Sequence, residues 1–279
     1  MLGASGMLGH VVLRLLAASP GFTVFGSLRT GSVPNALGPL RERLLTGTDA
    51  RNPDDLVRVF ALSRPKVVIN CIGLVKQLAE AEDPLAEIAM NALLPHRLSR
   101  LCEAAGARLV HISTDCVFSG RRGFYSELDA PDASDLYGRS KLLGEVDVPH
   151  AVTLRTSIIG PELEHPHGLV GWFLGAGGTV RGFTRAVFSG LPTVEFARIV
   201  RDVVIPRPEL RGVHHVSAAP IAKYDLLRIV AEVYGKSIEI TADDTVQIDR
   251  SLDSTQFRAL TGYVPPGWPE LIRAMHAFG

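Results

Sequence analysis

Short apolar runs alternate with amphipathic stretches along the first 155 residues of the chain. The apolar runs are rich in Val, Ile and Leu and are bounded by Gly, Pro or polar residues, which predicts β-strands. The stretches between them carry apolar residues at helical spacing, which predicts helices that cover a sheet. Because strands and helices alternate, the pattern predicts βαβ units, a parallel sheet and an α/β fold.

The pattern places five strands and four helices in this part of the chain. The predicted strands are Phe22–Gly26, Leu44–Leu45, Val67–Asn70, Arg108–Ser113 and Ala151–Leu154. The predicted helices are Gly9–Ala18, Pro53–Leu62, Ala89–Ala105 and Leu136–Val146. Asn52 before Pro53 and two acids is typical of a helix start, and Gly106 is typical of a helix end.

The regular alternation fades after residue 155, where Gly and Pro become frequent between Gly160 and Gly190. We expect this part to be a loop-rich lobe. Further elements are predicted as a strand at Val213–Ser217, a helix at Ile221–Tyr234, a strand at Ile238–Ile240, and short helices from Asp249 with a turn at Pro265–Gly267. We therefore expect a main domain over residues 1–155 and a smaller lobe over residues 156–279, with segments that return to the sheet.

Only Met1 and Leu2 precede the first glycine of the chain. A parallel sheet of this kind has a strand immediately before its first glycine turn. Against the usual strand length, roughly four to six apolar residues are missing. We expect the first strand to be cut short, through a start codon assigned too late or a shortened chain.

Three spaced glycines, Gly3, Gly6 and Gly9, open the first predicted helix. Glycine permits a tight turn and a close approach of the backbone to a pyrophosphate, which the helix N-terminus then binds. The glycines alone could equally form a loop, but the helix and strand that follow favour a Rossmann-type dinucleotide site. The candidate residues of this turn are Gly3, Ser5, Gly6, Met7, Leu8 and Gly9.

The end of the second strand indicates which dinucleotide is preferred. Proteins that bind NAD carry Asp or Glu there for the ribose 2′-hydroxyl, whereas a 2′-phosphate needs a cation. The chain has Ser27 and Arg29 at this place and no acid before Glu42. Arg29 can bind the phosphate as a bidentate pair, and Ser27 can add a hydroxyl. We therefore predict NADP(H).

Two further strand ends belong to the same predicted cleft. Asp49, followed by Ala50, can accept a hydrogen bond from the adenine amino group or can be a turn residue. Asn70, Cys71 and Ile72 end the next strand at the carboxyl edge of the sheet, where open α/β sheets bind ligands. Cys71 is interpreted as a packing residue.

A candidate catalytic set follows the strand that begins at Arg108. Thr114 and Asp115 stand at its carboxyl end, and Tyr137 and Lys141 lie four residues apart, on one face of a predicted helix. A nearby ammonium should lower the pKa of the Tyr137 phenol, which could then donate a proton to a carbonyl as hydride arrives. Thr114 could hydrogen-bond the same oxygen.

Four stretches of the chain resemble extended short-chain dehydrogenases/reductases. They are Leu2–His10, Ile112–Gly120, Tyr137–Glu145 and Leu154–Gly160. Within that superfamily the chain is similar to dTDP-4-dehydrorhamnose reductases over nearly its whole length. The resemblance implies NADPH-dependent reduction of the 4-keto group of a nucleotide-activated 4-keto-6-deoxy sugar, in deoxysugar and cell-surface polysaccharide biosynthesis.

The resemblance also assigns roles to residues. It implies that Thr114, Tyr137 and Lys141 are catalytic, that Lys141 holds the nicotinamide ribose and that Asp115 lies beside the ketone. Asn91 matches an asparagine that often completes a proton relay, or is simply a polar residue inside a helix.

The chain departs from the reductase pattern where the sugar should bind. Cys116 stands in place of a usual tyrosine, and the loop after the fourth strand, with Lys76, is unusual. A UDP-linked N-acetylated 4-keto sugar is therefore an open alternative to a dTDP sugar. Arg181 and Arg185 are candidates for the nucleotide, or are solvated loop residues. Trp172 and Phe173 could line the pocket or pack in the core.

Single residues argue against two other functions of the same fold. A dehydratase normally has an acid where Cys116 stands, and an epimerase would have an acid near Arg29. The alternative from another class is a non-catalytic NADP-binding subunit that resembles the regulatory subunit of methionine adenosyltransferase.

Composition narrows the function classes further. Lys plus Arg and Asp plus Glu each number 29, and a neutral chain has no long-range field for nucleic acid. Three widely spaced cysteines predict a reducing compartment, and His165 and His167 lack partners for a catalytic metal. No apolar run reaches the roughly 20 residues of a membrane span, and no secretory signal is recognised. We expect a cytoplasmic enzyme without nucleic-acid or membrane partners, compatible with a homodimer.

Overall fold

The computed structural model describes residues 1–74, 83–163 and 168–279 of the chain. The strands in these ranges are β1 (Gly26–Ser27), β2 (Leu44–Leu45), β3 (Val67–Asn70), β4 (Arg108–Thr114), β5 (Ala151–Thr156), β6 (Ile158–Ile159), β7 (Thr179–Phe188), β8 (Leu191–Pro192), β9 (Gly212–His215), β10 (Ile221–Ala222) and β11 (Glu239–Asp249). The α-helices are α1 (Gly9–Ala17), α2 (Pro53–Ser63), α3 (Pro84–Glu87), α4 (Leu94–Ala105), α5 (Leu136–Leu143), α6 (Leu169–Gly175), α7 (Thr193–Ile199), α8 (Lys223–Val233), α9 (Thr255–Thr261) and α10 (Trp268–Phe278).

The main sheet is parallel throughout. Strands β3, β4, β5 and β9 lie side by side in that order, and β1 pairs with β2. Leu2 joins the two groups, because its N–H donates to the carbonyl of Ile69 at 2.9 Å and the N–H of Ser27 donates to the carbonyl of Met1 at 2.9 Å. Leu2 and Met1 thus lie between β1 and β3. The strand order of a Rossmann sheet follows, which confirms the predicted fold class.

Two hydrophobic clusters cover the two faces of the main sheet. Leu109 of β4 packs with Leu56 of α2 and Leu98 of α4, whereas its neighbour Val110 packs in the cluster that holds Val12 of α1. Neighbouring residues of a strand point to opposite faces, so the two clusters lie on opposite sides of the sheet. Helices on both faces explain why these strands are apolar on both sides.

The C-terminal half adds a second sheet of three strands. Strand β7 lies in its centre, antiparallel to β10 and parallel to β11. The prediction of a loop-rich segment between Gly160 and Gly190 is therefore wrong, since helix α6 and the ten-residue strand β7 lie there. Gly182 lies inside β7, where the close approach of Tyr224 favours glycine, since a Cβ atom there would stand 2.8 Å from the Tyr224 ring.

Several predicted element bounds also differ from the structure. The predicted strand Phe22–Gly26 is Gly26–Ser27, and the predicted helix Ala89–Ala105 begins as a π-helical turn at Ile88–Leu93 that α4 continues. The predicted strand at Ile238–Ile240 extends as far as Asp249. Most of its later residues are polar or exposed, and they are in a strand because they pair with β7, which no local pattern reveals.

The helices in the described ranges are all too short or too polar to cross a lipid bilayer.

A buried ion pair lies near the carboxyl ends of the central strands. Arg155 of β5 donates from Nε and Nη2 to the two carboxylate oxygens of Glu145, at 2.8 and 2.7 Å. Both side chains are less than a tenth exposed. Ser113 of β4 donates to the same carboxylate at 2.8 Å, and Arg155 also contacts the ring of His215 of β9 at 3.2 Å. The pair therefore connects three neighbouring strands with the segment that follows α5.

Removing Arg155 should destabilise the protein strongly. The change Arg155→Ala leaves the Glu145 carboxylate buried without its cation, which costs about 3–5 kcal/mol. The free energy of unfolding in urea, followed by circular dichroism, measures the loss.

The matched control is Arg100→Ala, which removes an exposed ion pair to Glu103 and should cost less than about 1 kcal/mol. Replacing both partners, as Arg155→Met with Glu145→Leu, should recover much of the loss because no charge then remains buried. Equal losses for Arg155→Ala and Arg100→Ala would contradict the assignment.

Candidate functional site

The glycine turn after Leu2 depends on close backbone packing. Gly3 has a φ of +78°, and a Cβ atom there would stand 3.0 Å from the Ile72 side chain. A Cβ atom at Gly9 would overlap the carbonyl oxygen of Gly3. Both positions therefore require glycine, and helix α1 begins directly against the turn. Bare backbone is what a dinucleotide pyrophosphate needs at this place.

A cleft of about 280 Å³ opens beside this turn at the carboxyl edge of the sheet. Its lining contains nine of the predicted cofactor residues: Gly3, Ser5, Gly6, Ser27, Arg29, Asp49, Ala50, Cys71 and Ile72. Thr48, Arg51, Gly73, Leu74, Ala86 and Met90 also line it, and of these Thr48, Arg51, Ala86 and Met90 had not been predicted. The predicted residues Met7, Leu8 and Gly9 lie at the start of α1. The residues present thus fit a dinucleotide.

Asn70 lies beneath the cleft and orients the turn after β3. Its amide oxygen accepts from the N–H of Ile72 at 3.1 Å, and its amide nitrogen lies 3.1 Å from Nδ1 of His111. Asn70 and His111 are fully buried, and burial holds the pKa of His111 well below its usual value. Burial raises the pKa of the Cys71 thiol to about 12, which agrees with its interpretation as a packing residue.

The structure gives Asp49 a partner within the protein. Its two oxygens accept from Nε and Nη2 of Arg51, at 3.0 and 2.7 Å, and Oδ1 accepts from the Arg51 N–H at 2.9 Å. The hydrogen bonds to Arg51 hold the pKa of Asp49 below its usual value, and the nearby charge of Arg29 contributes. Binding of adenine by Asp49 stays a prediction. Arg51 was missed because it follows the strand within a turn, where arginines are usually solvated.

Three of the predicted catalytic residues meet where β4 ends. Thr114 is hydrogen-bonded to Tyr137. The hydroxyl of Thr114 also accepts from the N–H of Cys116 at 3.1 Å and donates to Asp115 at 3.2 Å. Asp115 is buried, and burial raises its pKa against the opposing charges of Arg250 and Lys223.

Gly138 explains how helix α5 brings Tyr137 to this turn. A Cβ atom at Gly138 would overlap the carbonyl oxygen of Cys116 and stand 2.6 Å from the side chain of Ala133. The carboxylate of Asp135 caps the helix by accepting from the Gly138 N–H at 2.9 Å. The residue after Tyr137 thus permits direct contact between helix and turn.

Lys141 lies one turn further along α5 and is 5% exposed. Its ammonium donates to the carbonyl of Ile112 at 2.8 Å. Burial lowers the pKa of Lys141 to about 8, although the Glu145 carboxylate opposes the shift.

The predicted lowering of the Tyr137 pKa is wrong for the protein by itself. Burial raises the pKa of the phenol above its usual value, and the neighbouring Cys116 and Asp115 act in the same direction. Lys141 does not offset this, because its ammonium is directed to the carbonyl of Ile112. Tyr137 therefore keeps its proton at neutral pH.

Asn91 lies in the π-helical turn, a feature that is frequent at functional sites. Its side chain is fully buried and binds both backbone groups of Leu74, at 2.9 and 3.0 Å, and the Ser140 hydroxyl at 3.3 Å. Ser140 donates in turn to the buried carboxylate of Glu87 at 3.0 Å. Asn91 therefore connects the end of the cleft with α5, and its part in a proton relay stays a prediction.

The residues predicted for the substrate are more scattered. Arg181 and Arg185 lie exposed on β7, not in a loop, and Arg181 pairs with Asp243 at 3.2 Å. Neither lines the cleft. The charges that act on Asp115 from the C-terminal half are Lys223 and Arg250, which had not been predicted.

Other candidates divide between core and surface. Phe173 is fully buried in the core, whereas Trp172 is 46% exposed. Lys76, His165 and His167 lie outside the described residues. Within the described ranges, His, Cys, Asp and Glu form no group of three or more that could hold a metal ion.

A family profile named RmlD substrate binding domain matches residues 1–276 of the chain. The chain belongs to this family. The match confirms the resemblance to dTDP-4-dehydrorhamnose reductases within the extended short-chain dehydrogenase/reductase superfamily.

Three curated relatives of this RmlD-family chain carry different names. It is 35% identical over 193 residues to the probable low-salt glycan biosynthesis reductase Agl14 of Haloferax volcanii, covering 65% of this chain and 62% of the relative. It is 32% identical over 197 residues to methionine adenosyltransferase 2 subunit beta of Danio rerio, covering 65% and 60%. It is 37% identical over 163 residues to dTDP-4-dehydrorhamnose reductase of Mycolicibacterium smegmatis, covering 56% and 43%. The matched parts thus span less than two thirds of each relative.

Solved structures share the fold over nearly the whole chain. A hypothetical dTDP-4-dehydrorhamnose reductase from Sulfolobus tokodaii superposes with a TM-score of 0.78 at 24% identity, covering 96% of this chain and 97% of that one. The Bacillus anthracis dTDP-4-dehydrorhamnose reductase in complex with NADP gives 0.77 at 18% identity, covering 99% and 97%. At these identities the likeness establishes a shared fold.

Replacing Lys141 by an apolar residue should stabilise the protein at neutral pH. The folded-state pKa of about 8 lies below the usual 10.5, so burying the ammonium opposes folding below pH 8. As pH rises from 8 to 10.5 the folded protein loses the proton first, and this opposition disappears. We expect Lys141→Met to be more stable than the wild type at pH 7, by about 1–3 kcal/mol, and to lose that advantage near pH 10.5.

Urea unfolding of both proteins at pH 7 and pH 10.5 measures the difference. Lys236→Met is a control, because the Lys236 ammonium donates to the carbonyls of Leu174 and Ala176, at the end of α6 and away from the cleft. A stability difference between Lys141→Met and the wild type that does not change with pH would contradict the assignment.

Proposed function

We propose that the chain is an NADPH-dependent reductase of the 4-keto group of a nucleotide-activated 4-keto-6-deoxy sugar, in deoxysugar and cell-surface polysaccharide biosynthesis. The observation that carries the proposal is the hydrogen-bonded pair of Thr114 and Tyr137, with Lys141 one helical turn away, at the carboxyl edge of the sheet. The relatives named glycan biosynthesis reductase and dTDP-4-dehydrorhamnose reductase support it.

Residues 1–155 would bind the cofactor. The glycine turn would hold the pyrophosphate, and Ser27 and Arg29 would hold the 2′-phosphate of NADPH. Asn70, Cys71 and Ile72 would lie along the dinucleotide. NADPH, when bound, supplies the hydride that reduces the ketone.

The protein residues then handle the proton. Tyr137 is protonated at neutral pH, so its phenol can donate to the carbonyl oxygen of the ketone as the carbon is reduced. Thr114 orients the phenol and can hydrogen-bond the same oxygen. Lys141 would bind the nicotinamide ribose, and the Tyr137 phenolate would regain its proton from solvent.

Residues 156–279 would form most of the substrate-binding lobe, with segments that return to the sheet. Cys116 and Asp115 would lie against the keto sugar. Lys223 and Arg250, which act electrostatically on Asp115, are further candidate cations on the substrate side of the site. Arg181 and Arg185 stay as more distant candidates on β7. The substrate would be a dTDP sugar or a UDP-linked N-acetylated sugar.

A second candidate function is a non-catalytic NADP-binding subunit. The relative named methionine adenosyltransferase 2 subunit beta favours it, because its identity to this chain is similar to that of the named reductases. An intact Thr114, Tyr137 and Lys141 is compatible with both functions.

Loss of NADPH absorbance at 340 nm tests the reductase. The panel contains dTDP-4-keto-6-deoxyhexoses and UDP-N-acetyl-4-keto-6-deoxyhexoses. We expect turnover with one class and a loss of about 100- to 10,000-fold in Tyr137→Phe, because the proton donor is removed. NADPH binding, measured by fluorescence, should persist in the variant.

Tyr234→Phe is the matched control, since Tyr234 lies at the end of α8 against the ring of His276 and should leave turnover unchanged. Turnover that survives in Tyr137→Phe would exclude the proposed role of the phenol. Silence across the whole panel, with NADPH binding intact, would favour the binding subunit.

A further inference from the structure

A buried histidine at the start of α1 contacts a distant part of the chain. His10 is the second residue of α1 and is 1% exposed, and its Nε2 lies 3.1 Å from the carbonyl oxygen of Pro161. Because a carbonyl only accepts, Nε2 carries the proton and donates this hydrogen bond. Pro161 belongs to the segment that follows β6, of which residues 160–163 and 168 are described. One side chain thus joins this segment to the helix of the glycine turn.

A second contact brings another residue of the segment to the same place. The Gly168 N–H donates to the Glu162 carboxylate at 2.7 Å, which holds these two residues side by side. A Cβ atom at Gly168 would stand 2.7 Å from the terminal methyl carbon of Met7. Met7 directly follows Gly6, which lines the cleft. Pro161 and Gly168 therefore both lie against the first residues after the glycine turn.

The His10 contact fixes the direction of the chain after β6. Strand β6 ends at Ile159, and residues 160–163 form neither helix nor strand. A Cβ atom at Gly160 would overlap the side chain of Thr193 of α7, so the backbone is packed closely at that point. Pro161 is the next residue, and its carbonyl is held by His10. Residues 160–163 therefore depend on this hydrogen bond for their position against α1.

The place of these contacts matters for a bound dinucleotide. The glycine turn and the N-terminal N–H groups of α1 would hold the pyrophosphate, and His10 lies in the first turn of that helix. Chain that is held beside the same turn would border the pyrophosphate and exclude water from it, which strengthens the hydrogen bonds from the backbone. Because the chain is ordered there before the ligand binds, the entropy cost of binding is also lower.

We propose that His10 is a positioning residue of the dinucleotide site, which through Pro161 holds residues 160–163 against the start of α1 and so raises the affinity for ligands that contain a pyrophosphate. The inference rests on the proposed dinucleotide site. His10 acts through Pro161 and not by contact with the ligand, since its Nε2 is directed to that carbonyl. Burial lowers the pKa of His10, so the ring is neutral at neutral pH and Nε2 is its donor nitrogen.

Two nucleotides that differ in the pyrophosphate test the proposal by isothermal titration calorimetry, without any turnover. The ligand 2′-phospho-ADP-ribose contains the pyrophosphate, and adenosine 2′,5′-bisphosphate lacks it. We expect His10→Asn, whose amide is too short to reach Pro161, to weaken binding of 2′-phospho-ADP-ribose by roughly 3- to 10-fold, the loss of one hydrogen bond. Binding of the bisphosphate should change by less than about 2-fold, because it has no pyrophosphate.

A rescue variant and a matched control separate positioning from a general loss of stability. In His10→Gln the side-chain amide reaches as far as the histidine Nε2 and can donate to Pro161, so both affinities should stay near the wild-type values. The control is His214→Asn. His214 is also a buried histidine whose Nε2 donates to a carbonyl, that of Arg211 at 2.9 Å, but it lies on β9 and not beside the glycine turn. Thermal unfolding of each variant reports on folding.

Glu162→Ala tests the segment without any change in α1. It removes the acceptor of the Gly168 N–H, and it should weaken 2′-phospho-ADP-ribose selectively, by roughly 2- to 10-fold. Glu162 is half-buried and outside the hydrophobic core, so we expect this variant to fold. If His10→Asn does not fold, unchanged affinities in Glu162→Ala overturn the proposal, and a selective loss supports it.

The outcomes distinguish this inference from the proposed reductase. An unchanged affinity for 2′-phospho-ADP-ribose in His10→Asn overturns the role of His10, whatever the sugar panel shows. An equal loss for both nucleotides, or a similar loss in His214→Asn, also overturns it, since the effect is then not on the pyrophosphate. If the wild type binds neither nucleotide, the dinucleotide site and the inference both fail. A silent sugar panel with the expected nucleotide affinities removes the reductase and retains the positioning residue.

Discussion

Close contact between glycines and backbone carbonyls is the constraint on which the site depends. Helix α1 lies against the carbonyl of Gly3 because Gly9 has no Cβ atom, and α5 lies against the carbonyls of Cys116 and Asn91 because Gly138 and Gly144 have none. A methyl group at any of the three would separate a helix from the turn that it contacts. The dinucleotide turn and the helix of Tyr137 are thus both positioned by direct backbone packing.

Burial then sets the protonation of the groups that this packing encloses. It keeps the Tyr137 phenol and the Cys71 thiol protonated, and it lowers the pKa of Lys141 toward neutrality. The enclosed ammonium opposes folding, as polar groups at functional sites often do. The bidentate pair of Arg155 and Glu145 shows the other case, in which a buried carboxylate is satisfied by its cation and a serine. Lys141 and Glu145 lie only four residues apart in the sequence, in α5 and in the segment that follows it.

Local pairing also decides the sign of charge where phosphates would bind. The chain has no net charge, so no long-range field attracts an anion. In the cleft the Asp49 carboxylate is paired with Arg51 and also interacts electrostatically with Arg29. In the C-terminal half Lys223 and Arg250 act on the buried Asp115. The charge around each candidate site is therefore set by a few neighbouring charged residues and not by the net charge of the chain.

The sequence alone was enough to predict the Rossmann sheet, the glycine turn and the meeting of Thr114 with Tyr137, since each depends on a local pattern at the end of a predicted strand. It was not enough for β7 and β11, whose polar and glycine-containing residues form strands only because they pair with each other. It also could not predict that Arg51 holds Asp49, nor that Lys223 and Arg250 act on Asp115, because those partners come from turns or from a distant part of the chain. The direction of the Tyr137 pKa depends on burial and on where the Lys141 ammonium is directed, and only the packed structure decides both.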